Sequence, residues 1–68
     1  MKTEIFESDP FTPRKGRLLA TIDTDYRFEK NDELSIETAI SRLPLRVMNV
    51  QIRIREGVVS REILALKL

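Results

Sequence analysis

The chain has 68 residues, no cysteine, no histidine and a net charge of +1. That composition excludes disulfides, thiolate chemistry and the usual zinc ligands. A single core of this size supplies only about a few kcal/mol of net stability, so a homo-oligomer or another protein partner is the expected supplement.

The opening "MKTEIFESDP" carries acids where a signal peptide needs an apolar run, and no stretch reaches membrane-spanning length, so a cytoplasmic protein is expected. The charge is segregated along the chain. Residues 1–22 sum to +1, residues 23–41 to −4 and residues 42–68 to +4. An acidic middle and a basic end suit two surfaces of opposite sign, or neutralisation across the fold.

In chain order, "TEIF" within residues 2–6 is a candidate edge strand. Residues 7–15 contain Pro10 and Pro13 without any period and form a connector. Gly16 opens a clear strand over 17–23, where Leu18, Ala20 and Ile22 alternate with Leu19, Thr21 and Asp23. "DTD" then turns, and residues 26–29 offer a further short strand carrying Tyr26 and Phe28.

Residues 33–41 fit two periods. As a strand, Leu34, Ile36, Thr38 and Ile40 alternate; as a helix, Ile36, Ala39, Ile40 and Leu43 share a face. Ser35 can cap that helix and Leu34 can staple onto Ala39, with Glu33 and Glu37 at its start and Arg42 at its end. "SRLPL" offers no Gly, Asn or Asp for a tight turn, whereas Pro44 stops a helix, so a helix near 35–43 is expected.

The remainder reads as a hairpin. Met48, Val50, Ile52 and Ile54 alternate with Asn49, Gln51, Arg53 and Arg55, giving a strand over 45–55 and its partner over 58–67. With Glu56-Gly57 as a two-residue loop, Ile54 pairs with Val59, Ile52 with Arg61, Val50 with Ile63 and Met48 with Ala65. One face is then apolar with Arg61 the exception. The other starts polar and ends with Val47 across from Leu66 and Leu45 across from Leu68. The fold expected is α+β, a small antiparallel sheet with one short helix, in a single domain over 1–68; the alternative is an all-β, five-stranded small barrel.

No motif carries catalysis. A calcium loop started at Asp23 puts Phe28 where glycine is needed and Leu34 where glutamate is needed. Asp23 with Asp25, and Asp32 with Glu33, sit in polar, turn-like surroundings, and the only glycines are Gly16 and Gly57. No catalytic residue, cofactor or metal site is expected, and an enzyme is the least favoured class.

Two binding functions remain. Apolar residues on both hairpin faces predict a protein-interaction or regulatory protein that self-associates, with Phe6, Phe11, Leu45, Val47, Leu64, Leu66 and Leu68 as the candidate interface. In the other version of that packing, Phe6 and Phe11 fold back over the second hairpin face. The competing reading is a nucleic-acid-binding protein, in which Arg53 and Arg55 on one strand face meet phosphates and Arg14, Lys15 and Arg17 form a basic arm. Six acids in residues 23–41 oppose it.

Overall fold

In the computed structural model, which describes residues 1–12 and 14–68, the chain forms five strands and no helix among the described residues. They are β1 (Lys2–Ser8), β2 (Lys15–Asp23), β3 (Glu33–Glu37), β4 (Arg42–Arg55) and β5 (Val58–Lys67). All belong to one curled sheet, a half-barrel, in the order β2-β1-β5-β4-β3. β1 and β5 run parallel at its centre and the other three pairings are antiparallel, so the sheet is mixed.

The expected α+β fold is therefore wrong; the all-β alternative agrees with the structure. Residues 35–43 are not helical. Glu33–Glu37 pair with Arg42–Arg46, which places Leu34 and Ile36 against the core. The turn between β3 and β4, which has no Gly, Asn or Asp, is made by hydroxyls. Thr38 Oγ1 accepts from the amides of Ile40 (3.3 Å) and Ser41 (3.1 Å), meets Ser41 Oγ at 2.8 Å, and the Thr38 amide donates to the Ser41 carbonyl. Short hydroxyl side chains can replace a glycine turn in this way. Pro44 is tolerated inside β4 because its carbonyl, and hence its missing N–H, faces the last residue, Leu68, where the ladder ends.

Residues 26–29 are not a strand either. They belong to a crossover, residues 24–32, that carries the chain from β2 at one edge to β3 at the other. The expected connector shortens to residues 9–14, and its Pro13 lies outside the described residues. Gly16 faces the β1 backbone at close range, since a Cβ there would lie 2.7 Å from the Glu7 carbonyl oxygen.

The hairpin register holds from Arg55↔Val58 back to Val50↔Ile63, around a turn in which Glu56 (φ 51) and Gly57 (φ 78) are both left-handed, the signature of a type I′ turn. Beyond that point the expectation fails. A bulge at Met48 shifts the ladder by one, pairing Val47 with Ala65, Arg46 with Leu66 and Leu45 with Lys67. One extra residue moves Leu45 and Val47 onto the same face as Val50 and Ile63. The hairpin is thus not apolar on both faces through those residues. A straight 14-residue strand would be about 43 Å long, more than the 36 Å longest dimension, so β4 has to bend.

The core lies on the concave face: Ile5, Leu45, Val47, Ile63 and Ala65, with Leu19, Phe28, Leu34, Ile36, Leu43 and Val50 packed around them. Arg61 shares that face and is itself buried. Its Nε donates to Thr3 Oγ1 (3.1 Å), and its terminal nitrogens donate to the carbonyls of Tyr26 and Thr24 (2.9 Å for the latter). The guanidinium also lies 5.2 Å from the centre of the Phe28 ring, which Tyr26 meets edge-on. Arg61, at the sheet's central strand, therefore ties down the crossover. A turn then hands the chain to β3: Asp32 caps the Glu29 amide (2.8 Å), Asn31 takes φ 78, and both residues bond to Val47.

The N-terminal ammonium donates to Asp23 (2.7 Å) and Asp25 (3.2 Å). The hydrogen bond with Asp23, and then that with Asp25, hold the ammonium above its usual value; the same contact holds the Asp23 carboxyl below its own. The pair is intact at neutral pH and is lost as pH rises through the ammonium's raised value or falls through the carboxyl's lowered one. Both partners are fully exposed, so the contact fixes the chain end more than it stabilises the fold.

Two substitutions test this framework. Arg61→Lys keeps the charge but loses the planar fork and should lower stability in urea by about 2 kcal/mol. Faster amide exchange across residues 24–28 should accompany the loss, and unchanged exchange there would show that Arg61 does not hold the crossover. Glu56→Asn, which puts a side chain tolerant of positive φ into the turn, should raise stability by about 0.5 kcal/mol.

Candidate functional site

The hairpin outgrows the sheet that carries it. β3 pairs with β4 only as far as Arg46, Asn31 and Asp32 extend that pairing to Val47, and β1 covers β5 only from Ser60 to Ala65. Beyond these limits β4 and β5 continue as a two-stranded ribbon to Gly57. On its concave side Ile52, Ile54 and Val59 lie exposed, and Val58 is exposed on the opposite side. Ile54, at 72% exposure, is the most open side chain of this ribbon's apolar set.

Its outer free edge belongs to β4. In a two-residue hairpin Arg55 and Val58 form the hydrogen-bonded pair, so Arg53, Gln51 and Asn49 also bond to β5. Val50, Ile52 and Ile54 then turn their amides and carbonyls away from β5. Among the described residues, no backbone group of another segment bonds to β4 between Met48 and Arg55 on that side.

The convex face of the hairpin is polar and ion-paired. Glu62 is buried, and its Oε2 takes both Lys15 Nζ (3.0 Å) and Arg53 Nε (3.2 Å). Lys15 lies over the Phe6 ring on its way there, 4.5 Å from the centroid. Phe6 pairs with Leu18 on one side and Leu64 on the other, a small apolar row across β2, β1 and β5.

The residues expected to form an interface are thereby scattered. Leu45 and Val47 are fully buried in the core. Phe6 and Leu64 are buried under Lys15 and their neighbours, and Leu66 is half-buried. Phe11, at 93% exposure, stands in the β1–β2 connector at the rim of an open cavity that it shares with Lys30 and Met48, and Leu68 is exposed beyond β5. Of the expected basic contacts, Lys15 and Arg53 share Glu62, while Arg14, Arg17 and Arg55 are exposed without an ion pair among the described residues. Arg14, Lys15 and Arg17 are not brought beside Arg55 by any strand pairing.

Sequence reasoning missed Ile52, Ile54 and Val59, which it assigned to the covered face. The available signal was length: a strand of 14 residues cannot be covered along its outer edge by a β3 of 5.

A cavity of about 310 Å³ opens between the two sheet edges, lined by Ala20 and Ile22 of β2, Leu34 and Ile36 of β3, Ile5 and Phe28. Apart from Ser35 it lacks the convergent polar groups that orient a small molecule. It is the unclosed seam of the half-barrel.

Among the described residues no helix is long and apolar enough to cross a membrane. Comparison with known proteins gives no matching family model, no matching curated protein and no matching solved structure.

The Glu62 centre makes a further prediction. Glu62→Gln should cost about 1 kcal/mol, because both cations are half-exposed and screened, and the loss should shrink as salt is added. A loss independent of salt would mean that the carboxylate acts through packing and not charge.

Proposed function

We propose that this is a small, non-enzymatic interaction or regulatory protein that works by associating with copies of itself. The observation that supports it is the projecting ribbon, with Ile52, Ile54 and Val59 exposed on one side beside an unpaired strand edge. Natural sheets usually blunt such an edge with a proline, an inward-facing charge or a covering segment. On the stretch Asn49–Arg55 the inward positions are Val50, Ile52 and Ile54, so these devices are missing from the concave side; the strand's charges, Arg53 and Arg55, stand on the convex side and the Met48 bulge lies just outside the stretch. A second copy is the occupant favoured here, since the fold is small and has no disulfide to supplement its core. A cysteine-free chain of this kind suits a cytoplasmic setting.

The competing nucleic-acid reading loses its central residue, because Arg53 is already engaged by Glu62 at 3.2 Å. Light scattering on protein titrated from the micromolar to the millimolar range should show a mass rising above that of one chain. Ile54→Lys should return it to one chain while changing stability by no more than about 0.5 kcal/mol, as expected of an exposed site. A single-chain mass throughout, or steeply salt-dependent binding to labelled mixed-sequence DNA or RNA, would overturn the proposal.

A further inference from the structure

The free edge of β4 has a symmetry that specifies how two copies would meet. Its regular part runs from Asn49, just past the Met48 bulge, to Arg55, just before the turn, and its midpoint is Ile52. We infer that two chains join by antiparallel pairing of this edge with itself, with Ile52 opposite Ile52 on the two-fold axis. This rests on the self-association proposed above and adds the surface and the register.

The hydrogen bonding agrees with this register. Val50, Ile52 and Ile54 direct their backbone groups outward, and pairing centred on Ile52 sets Val50 opposite the second copy's Ile54. Every outward amide of the open stretch then donates to an outward carbonyl of the second copy, and hydrogen-bonded pairs form at all three positions. The pairing ends where Asn31 and Asp32 already occupy Val47.

The side chains agree as well. On the concave side Val50, Ile52 and Ile54 of each chain meet only apolar neighbours. On the convex side Arg53 falls opposite the second copy's Gln51, and Arg55 opposite its Asn49, so no two charges of like sign stand directly across from each other. Each Arg53 keeps its own Glu62. Shifting the centre to Arg53 sets two arginines face to face, and a centre at Ile54 sets Arg53 opposite Arg55 twice, which cross-strand repulsion disfavours. A centre at Gln51 drives Arg55 against Val47, whose edge is taken. The charge pattern and the length of the open edge thus select the same register. The contact is isologous and closes at two chains.

The absence of cysteine makes the register directly measurable. In this arrangement the two Ile52 Cα atoms lie about 5.5 Å apart, within disulfide reach. The two Arg53 Cα atoms lie about 8 Å apart and the two Ile54 Cα atoms about 14 Å, both out of reach. Single substitutions Val50→Cys, Gln51→Cys, Ile52→Cys, Arg53→Cys and Ile54→Cys should each be oxidised in otherwise intact protein. Covalent dimer is expected for Ile52→Cys at a yield several-fold above all the others. Ile52→Pro, which blocks an outward amide while sparing every hydrogen bond to β5, should leave the amide spectrum folded and abolish association.

A maximum at another position overturns the register. A light-scattering dimer with no crosslink anywhere, unaffected by Ile52→Pro, overturns the edge contact while leaving self-association standing. A single-chain mass for the unsubstituted protein at every concentration overturns both.

Discussion

The guanidinium of Arg61 is the contact on which this architecture turns. The chain leaves β2 at one edge and must enter β3 at the other, crossing the concave face with residues 24–32. Five strands span about 19 Å at the usual spacing, whereas nine extended residues reach about 30 Å, so the crossover has slack that something must take up. Their carbonyls pass over an apolar surface that offers no donors, and an unpaired buried carbonyl is costly. Arg61, on the central strand, supplies those donors to Thr24 and Tyr26 and rests its face near Phe28. The dependence is mutual: a buried guanidinium without a carboxylate partner needs the carbonyls as much as they need it.

Once that strap is in place, the rest follows from geometry. It seats Phe28 on the core, fixes the Glu29–Asp32 turn against Val47 and so sets where β3 can begin. The point at which β3 and its leading turn stop covering β4 defines the free edge. The bulge at Met48 falls next to the same point. Core, edge and ribbon are consequences of a single decision about where the crossover lands.

Much of this was legible in the residues and some was not. The alternation from Met48 to Arg55, with Gly57 for positive φ, reports the hairpin and its turn directly, and Arg61 stands out as the one charge on the apolar side. The Met48 bulge leaves no compositional trace, since any residue can be the extra one, yet it reverses the faces of Leu45 and Val47. Residues 33–41 carry both periods at once, and their fate was decided by Thr38 and Ser41 hydroxyls, which substitute for a glycine that pattern-reading looks for. Exposure at Ile52 and Ile54 is a property of relative strand lengths, which alternation within one strand does not encode. Of the seven interface residues expected from sequence, Leu45 and Val47 are therefore buried in the core, while the exposed apolar residues of β4 lie further along the same strand.

The central strand, β5, pairs with the strand most distant from it in sequence, β1, with Lys2 paired to Ser60 and Glu7 to Ala65. The β1–β2 hairpin can form from contacts close in sequence, but its inner edge stays bare until β5 arrives from more than fifty residues away. Closing a loop of that length makes the step slow. Through that interval β1 can accept a β5 from a neighbouring chain as readily as its own. Refolding at high protein concentration is thus where exchange of β5 between chains is most to be expected.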